Sequence, residues 1–444
     1  MDASLIPQFG GLIWTLLAFV VALSIIVAIH EYGHYIVGRW CGIKADVFSI
    51  GFGPIIFKRT DRHGTQWQLA ALPLGGYVKF RGDANASSVG DDGTIAQMTA
   101  EERAQTMTGA SLWRRSATVA AGPVFNFILS ILVFAAFVAF SGTAVDTPVV
   151  GQVKSMPAEV ATLQEGDRVL AVEGTPVETM AELGSVSGAL PPAPTVSYDV
   201  ERAGQEITVD AALPMPARIE TVQPRSAAWD IGLRPDDVIR AIDGQDLYSF
   251  GQLQGVVAAA EGAPLTLDVW RAGEMLEFTL VPRRMDLPTP DGGFETRWLL
   301  GITGALFFDP VTERASPLEA VSYGVNQTIF IVQSSLSALS HIITGQISTC
   351  NLSGPIGIAE VSGAAASQGL DQFIWFIAVL STAVGLLNLF PIPVLDGGHL
   401  VFHAYEAVSG KPPSDRSVRV LMTVGIGLMG ALMLFALFND LVCP

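Results

Sequence analysis

Four long apolar stretches divide the chain, and each is long enough to cross a lipid bilayer. They cover Ile13–Val37, Ser116–Phe140, Phe373–Phe390 and Val418–Phe438, and a membrane-spanning helix needs about 20 mostly apolar residues. The pattern predicts a polytopic α-helical membrane protein with four transmembrane helices. A fifth stretch, Leu318–Ile343, is interrupted by glutamine and serine residues and is predicted to be an amphipathic helix on the outer membrane surface.

Basic residues accumulate between the first two stretches and just before the last one. Ten lysines and arginines lie in 38–115, Lys411 and Arg416 precede the final stretch, and Arg419 is its second residue. Because cytoplasmic loops are enriched in Lys and Arg, both segments are predicted to be cytoplasmic. The termini and the region between the second stretch and the fifth then lie on the outer side. The expected location is a bacterial inner membrane, with that outer region in the periplasm.

The acidity of the chain belongs to one soluble region. The formal net charge is −17, and residues 142–319 hold 27 acidic and 12 basic residues. A region with so little basic surface does not attract phosphates, so nucleic acid is not an expected partner. The three cysteines, Cys41, Cys350 and Cys443, show no C-x-x-C spacing; a single Cys350–Cys443 disulfide stays open.

An internal repeat occupies the acidic region. Residues 163–174 match 233–244 at an offset of 70, and Arg202–Gly204 matches Arg271–Gly273 at 69, so two copies of one small domain are predicted. Short alternating strands with Gly and Asp turns look like bacterial PDZ domains, small α/β folds that bind extended peptides by strand addition. A spacer or steric gate without a ligand is the alternative. The predicted domains are 1–141 with the first two spans, 142–215 and 216–310 as the PDZ pair, 311–371 as the amphipathic periplasmic segment, and 372–444 with the last two spans.

The pentapeptide His30-Glu31-Tyr32-Gly33-His34 places an H-E-x-x-H motif at the end of the first apolar stretch. Two histidines four residues apart share one face of a helix and can hold a zinc ion, and the Glu between them activates a water. Ionisable residues inside a membrane are costly and usually functional. The motif therefore predicts a catalytic Zn²⁺ site, with His30 and His34 as ligands and Glu31 as the general base.

A catalytic zinc usually has three protein ligands and a water, and the third candidate is Asp396. It follows two prolines that break the third span in Asn388–Gly398. If the fifth apolar stretch crossed the membrane, Asp396 would end on the opposite face from His30, so parity also favours a surface position for that stretch. A solvated turn residue is the alternative reading of Asp396. His399 and His403 are interpreted as polar residues at the cytoplasmic edge of a helix; a place behind the zinc ligands is the alternative for His399.

The second span contains Gly122, Pro123 and Asn126. Small and polar residues of this kind allow close helix packing and interhelical hydrogen bonds. A supporting role behind the zinc ligands is the less favoured interpretation.

The motifs H-E-x-G-H and N-x-F-P-x-P-x-x-D-G-G, on either side of a repeated soluble pair, resemble the site-2 protease family of intramembrane zinc metalloproteases, in its bacterial type with tandem periplasmic PDZ domains. Further stretches agree with that family, among them Phe48–Pro54, Pro73–Val78, Ala121–Phe127 and Leu352–Gly357. The resemblance implies that His30, His34 and Asp396 bind zinc and that Glu31 is the base.

The same resemblance assigns substrate-binding residues. Asn388 is similar to a residue that holds the substrate backbone. The segment Pro73–Phe80, with Gly75, Gly76 and Tyr77, is predicted to belong to a membrane-associated β-hairpin whose edge receives an unwound substrate; an ordinary cytoplasmic hairpin is the alternative.

The predicted activity is that of a zinc metalloendopeptidase that cleaves single-span membrane proteins in the lipid bilayer. By resemblance these are anti-sigma factors already trimmed on the outer side, and remnant signal peptides. An inactive PDZ scaffold is a rival, but the intact Glu31 argues against it. A metal transporter is a second rival, but transporters usually contain repeated membrane halves, and none is detected here.

Overall fold

The computed structural model describes residues 5–83, 98–157, 162–289 and 293–443. The chain forms two compact units. Unit 1 holds the described residues up to Phe137 together with Pro317–Ile343 and Thr349–Cys443, and unit 2 holds the described residues of Val138–Ser316 and Thr344–Ser348. The helices, in chain order, are α1 (Leu5–Trp40), α2 (Ala100–Ala104), α3 (Leu112–Ser141), α4 (Met180–Ala189), α5 (Ala227–Asp230), α6 (Phe250–Ala259), α7 (Pro317–Ile343), α8 (Pro355–Gln368), α9 (Leu370–Asn388), α10 (Asp396–Ser409) and α11 (Asp415–Val442).

Four helices among the described residues are long and apolar enough to cross a membrane. They include Gly11–Trp40, Leu112–Ser141, Leu370–Asn388 and Arg416–Val442, so the prediction of four spans is confirmed. The third helix begins three residues earlier and ends two residues earlier than predicted, because the chain leaves the helix at Asn388, before the first proline.

Helices α3 and α9 are joined by hydrogen bonds between buried small polar side chains and backbone carbonyls. Ser130 Oγ of α3 donates to the Ala378 carbonyl at 2.8 Å, and Ser381 Oγ of α9 donates to the Asn126 carbonyl at 2.9 Å. Gly385 lies against the Pro123 carbonyl. Small residues let helix backbones approach closely enough for such bonds, and this contact fixes α3 beside the end of α9.

Helix α7 is not one of the four candidate spans. Ala320, Gly324 and Thr328 form its buried stripe, with Gly324 pressed against the Ile131 carbonyl of α3. The spacing of four residues puts these side chains on one helix face. Its position at the outer membrane surface stays a prediction.

A long hairpin of β1 (Ala45–Thr60) and β2 (Gln66–Phe80) follows α1. Strand β1 is paired on two sides, since Ile50 faces both Gly76 and Leu69. The side chains of Phe52, Ile56 and Phe57 are exposed by 42%, 68% and 61%. Exposed apolar patches mark contact with a partner or a membrane, which favours the expected association of this hairpin with the bilayer.

The base of the hairpin is tied to α1 through Asp61. Its carboxylate accepts hydrogen bonds from the Tyr35 hydroxyl at 3.2 Å and the Trp67 indole at 3.0 Å. Partial burial alone would raise the pKa of Asp61, but the bonds from the indole, from two backbone amides and from the tyrosine hydroxyl lower it to about 2. The charged carboxylate therefore stabilises the hairpin at neutral pH.

The end of α11 is fastened to the start of α8. Cys350 and Cys443 form a disulfide, with their Cα atoms 5.6 Å apart. The Asp440 carboxylate accepts backbone N–H bonds from Gly354, Ile356 and Gly357 at 2.9–3.1 Å. A carboxylate at a helix N-terminus satisfies amides that lack a partner within the helix.

Unit 2 contains two repeats built from the same elements. The first has a sheet of order β6-β5-β7-β8, and the second has the order β11-β10-β12-β13. Each repeat also contains one helix with a capped first turn, α4 in the first and α6 in the second, and the two helices are 70 residues apart in sequence. The strands are β3 (Thr143–Ala144), β4 (Val150–Val153), β5 (Arg168–Val172), β6 (Thr175–Pro176), β7 (Val196–Arg202), β8 (Gln205–Ala211), β9 (Ile219–Val222), β10 (Val238–Ile242), β11 (Gln245–Asp246), β12 (Leu265–Arg271), β13 (Glu274–Leu280), β14 (Arg283–Pro288), β15 (Phe294–Leu299), β16 (Ile302–Gly304), β17 (Phe308–Pro310) and β18 (Thr312–Glu313).

The two repeats are nested, not strictly consecutive. Strand β17, which follows the second repeat in the chain, pairs with β4 at the start of the first, and Phe307 and Phe308 lie in the core of the first repeat with Val150 and Tyr198. Strand β16 pairs with β9 and closes the second repeat. The packing therefore differs from the predicted domain boundary at residue 310, since β17 lies in the predicted second domain but pairs with the first repeat. A constant sequence offset cannot show to which copy a strand outside the matched segments belongs. Strands β3 and β18 pair with each other, so the chain enters and leaves unit 2 side by side.

Candidate metal centre

The ring nitrogens of His30 and His34 meet on one face of α1. Their Nε2 atoms are 3.2 Å apart, because residues four apart in a helix lie one above the other. The helix continues through both residues to Trp40, so a regular backbone holds the two rings. His34 Nδ1 donates to the Thr118 carbonyl of α3 at 2.9 Å, which orients its Nε2 toward His30.

Asp396 is brought to the histidines by the break between α9 and α10. It is the first residue of α10, and its Oδ2 lies 3.2 Å from His30 Nε2 and 3.4 Å from His34 Nε2. The turn is tight: a Cβ at Gly397 would lie 2.3 Å from the Leu389 carbonyl oxygen. The alternative of a solvated turn residue does not fit the close contact of this carboxylate with both rings.

The three atoms fit a zinc ion. Their separations of 3.2–3.4 Å match the edges of a tetrahedron whose ligands lie about 2.0–2.1 Å from its centre, which are about 3.3–3.4 Å long. Asp396 Oδ2 is buried and accepts no hydrogen bond from the described residues, as expected of an oxygen reserved for a cation. Neutral imidazole and carboxylate are a donor set that zinc takes, and a fourth position is left for water.

Glu31 stands between the two histidines in sequence and faces the hairpin. The Val78 backbone amide donates a hydrogen bond to its carboxylate. Gly76 also lies close to Glu31: a Cβ there would lie 3.2 Å from Glu31 Cγ and 2.7 Å from the Ser49 carbonyl oxygen. A side chain at Gly76 would therefore push the strand away from Glu31.

A cavity of about 600 Å³ in unit 1 contains His30, Glu31, His34 and Asp396 in its wall. Three of the four residues expected to bind substrate also line it, namely Gly76, Tyr77 and Asn388. Gly75 is not among the lining residues, and its φ of +144° suits glycine. The Asn388 amide donates to the Val384 carbonyl at 3.0 Å, and the Tyr77 hydroxyl accepts from Gln68 at 3.0 Å.

The cavity wall also contains polar side chains that the sequence motifs do not assign to the site. Arg115, His399 and His403 line it; Arg115 is paired with Glu406 at 2.7 Å, and His403 lies 3.2 Å from Ser116 Oγ. Burial, and next the guanidinium of Arg115, lowers the pKa of His403 to about 4, so this imidazole is neutral at neutral pH. The four-residue spacing of His399 and His403 is the only sequence signal for this part of the wall, and it does not distinguish a cavity lining from a membrane edge.

Comparison with known proteins gives one family over nearly the whole chain. The model of peptidase family M50 matches residues 18–432. A protein of Agrobacterium fabrum that carries the name zinc metalloprotease is 36% identical over 441 residues, which cover 97% of each chain. The regulator of sigma-E protease RseP of Escherichia coli is 34% identical over 460 residues, covering 96% of this chain and 98% of that protein.

Proposed function

The chain belongs to peptidase family M50, the site-2 proteases, and is a zinc metalloprotease; from that premise we propose that it hydrolyses single-span membrane proteins within or near their transmembrane helices. The observation that carries the proposal is the cluster of His30, His34 and Asp396, with Glu31 beside it. The two histidines and Glu31 lie on a helix long and apolar enough to cross a membrane, and Asp396 lies just after another. Substrates of the anti-sigma factor type, and remnant signal peptides, are the proposed targets, in regulated intramembrane proteolysis.

His30, His34 and Asp396 are the proposed zinc ligands. When bound, zinc lowers the pKa of its water toward about 7 and polarises the carbonyl of the scissile peptide. Glu31 takes the proton of the attacking water on its carboxylate and passes it to the leaving amine nitrogen. The Val78 amide holds that carboxylate in place.

The edge of β2 is the proposed dock for the substrate backbone. Within the described residues, Gly76–Phe80 pairs with β1 alone, and Gly76, Tyr77 and Val78 line the cavity beside Glu31. A helical substrate hides its amides in its own hydrogen bonds, so it must unwind, and an unpaired strand edge replaces those bonds. Gly75 shapes the bend before this edge, and Asn388 on the same cavity holds the substrate backbone.

The orientation proposed for the protein is that of an inner-membrane enzyme with unit 2 in the periplasm and the zinc site near the cytoplasmic side. The Cys350–Cys443 disulfide supports it, since disulfides persist in oxidising compartments. Lys411 just before α11, together with Arg416 and Arg419 in its first turns, supports a cytoplasmic position for that end of the helix. The repeats of unit 2 are proposed to be PDZ domains that act as a size gate or bind a peptide.

Two measurements test the proposal. Purified protein should hold about one zinc per chain, His30→Ala and Asp396→Ala should lose it, and His399→Ala, on the same cavity, should keep most of it. Equal loss in all three variants would mean that the ligands are wrongly assigned.

The second measurement is of cleavage. A panel of tagged single-span membrane proteins is co-expressed with wild type or with Glu31→Gln, which keeps the size of the side chain and removes the base. Cleavage should require the wild-type residue while zinc content is the same in both. Cleavage near the wild-type rate in Glu31→Gln would refute the mechanism.

A further inference from the structure

One face of α3 lies against the two imidazoles of α1. Thr118, Gly122 and Asn126 follow one another at intervals of four, so they share this face. The Thr118 carbonyl accepts from His34, as described, and the amide nitrogen Nδ2 of Asn126 lies 3.2 Å from His30 Nδ1. A Cβ at Gly122 would lie 2.3 Å from His34 Nε2 and 2.8 Å from His30 Cε1. These contacts leave the two imidazole rings little room to move, so this face of α3 fixes where the rings lie.

The chemistry of a bound imidazole decides what Asn126 must do. A histidine that gives its Nε2 lone pair to a metal carries its proton on Nδ1, and Nδ1–H then needs an acceptor. Asn126 is fully buried, and its Oδ1 has no hydrogen-bond partner among the described residues. The oxygen and the amide nitrogen of a carboxamide have nearly the same shape. Turned so that its oxygen faces His30, the Asn126 side chain both accepts the Nδ1 proton and satisfies that oxygen.

We propose that Asn126 is a positioning residue of the zinc centre: its carboxamide oxygen accepts the Nδ1 proton of His30 and so fixes the ring and the nitrogen that faces the metal. The proposal rests on the ligand set given under the proposed function. The Nδ1 proton of His34 is accepted by a backbone carbonyl, which no substitution removes. Of the two hydrogen bonds to the ligand histidines, only the one from His30 to Asn126 can therefore be tested by changing a side chain. Its own backbone is held by Ser130 and Ser381, whose hydroxyls donate to its carbonyl at 3.0 and 2.9 Å.

The experiment measures the zinc dissociation constant of the purified full chain by competition with a chelator. Asn126→Leu keeps the approximate shape and has no acceptor; Asn126→Ala removes the amide without adding bulk; Asn126→Asp restores an acceptor oxygen. Ser362→Ala is the matched control, because it removes a buried hydrogen bond to a helix carbonyl, that of Ile358, in α8 and is not in contact with His30 or Asn126. The absorption spectrum of the cobalt-substituted protein reports the ligand geometry independently.

Loss of the acceptor should weaken zinc binding about 10–100-fold in Asn126→Leu and Asn126→Ala, the effect typical of a partner behind a metal-binding histidine, and should change the cobalt spectrum. Asn126→Asp and Ser362→Ala should stay within about threefold of wild type. Unchanged zinc affinity in the Leu and Ala variants would overturn the proposal, and so would an equal loss in Ser362→Ala, since loosened packing would then explain it. His30→Ala in the same titration distinguishes an error in the proposed role of Asn126 from an error in the proposed zinc ligands. If His30→Ala binds zinc as wild type does, the ligands are wrongly assigned.

Discussion

A single methyl group at Gly122 should damage the zinc site without unfolding the protein. In Gly122→Ala the new Cβ would lie 2.3 Å from His34 Nε2, whereas ordinary contacts begin at 3.4 Å, so the ring or the helix must move by roughly 1 Å. A metal site tolerates ligand displacements of about 0.2 Å. Without metal, the end of an imidazole can turn away at little cost; with metal, it cannot.

Two contributions to stability act in opposite directions in this variant. Overpacking costs about 1–3 kcal/mol, and replacing a helical glycine by alanine returns about 0.5–1 kcal/mol. The metal-free protein should therefore lose at most about 2.5 kcal/mol of unfolding free energy, by the same two estimates. The stabilisation that zinc adds to wild type should largely disappear.

The assay is thermal unfolding of the purified protein with and without saturating zinc, together with zinc content. Gly430→Ala is the control, because a Cβ at that helical glycine of α11 meets nothing within 4 Å; it should keep the full zinc-dependent shift in Tm. If Gly122→Ala shows the same zinc-dependent shift and zinc content as wild type, the close packing of α3 on the ligands has no functional meaning.

Three further outcomes are expected. A single cysteine at Ser367 should react with a labelling reagent added from the outside, whereas one at Ser409 should react only after the membrane is opened. The background should be low because the free Cys41 is buried. Labelling of Ser367→Cys from the cytoplasm alone would contradict the four-span topology. Replacement of residues 145–311 by a short turn should leave zinc content and cleavage of short substrates intact and admit substrates with larger outer domains, and an unchanged preference for trimmed substrates would exclude the size gate. Hydrogen bonds lower the pKa of Asp61 from 3.8 to about 2. Their stabilisation of the hairpin is complete at pH values above 3.8, the pKa in the unfolded chain, and is lost as the pH falls toward 2. Hydrogen exchange of the hairpin amides should rise over that pH interval in wild type and not in Asp61→Asn.

The sequence predicted the elements of the site whose spacing is local. The four-residue interval in His30–His34 follows from helix geometry alone, and the four apolar stretches follow from the thickness of the membrane. Asp396 needed a resemblance, because a distance of several hundred residues contains no physical signal of contact. Gly122 and Asn126 share that four-residue interval, but their role depends on which face of α3 meets α1, and helix packing in lipid leaves no amphipathic pattern to show it.

The nested order of the repeats constrains how the protein is made. Strand β4 must wait for β17, about 150 residues later in the chain, and at a synthesis rate of about 5–20 residues per second the wait is roughly ten to thirty seconds. The second repeat closes earlier, since β16 precedes β17. The repeat that is synthesised first thus completes its fold last, and during that interval the partner-less edge of β4 is exposed to proteases and to other nascent chains.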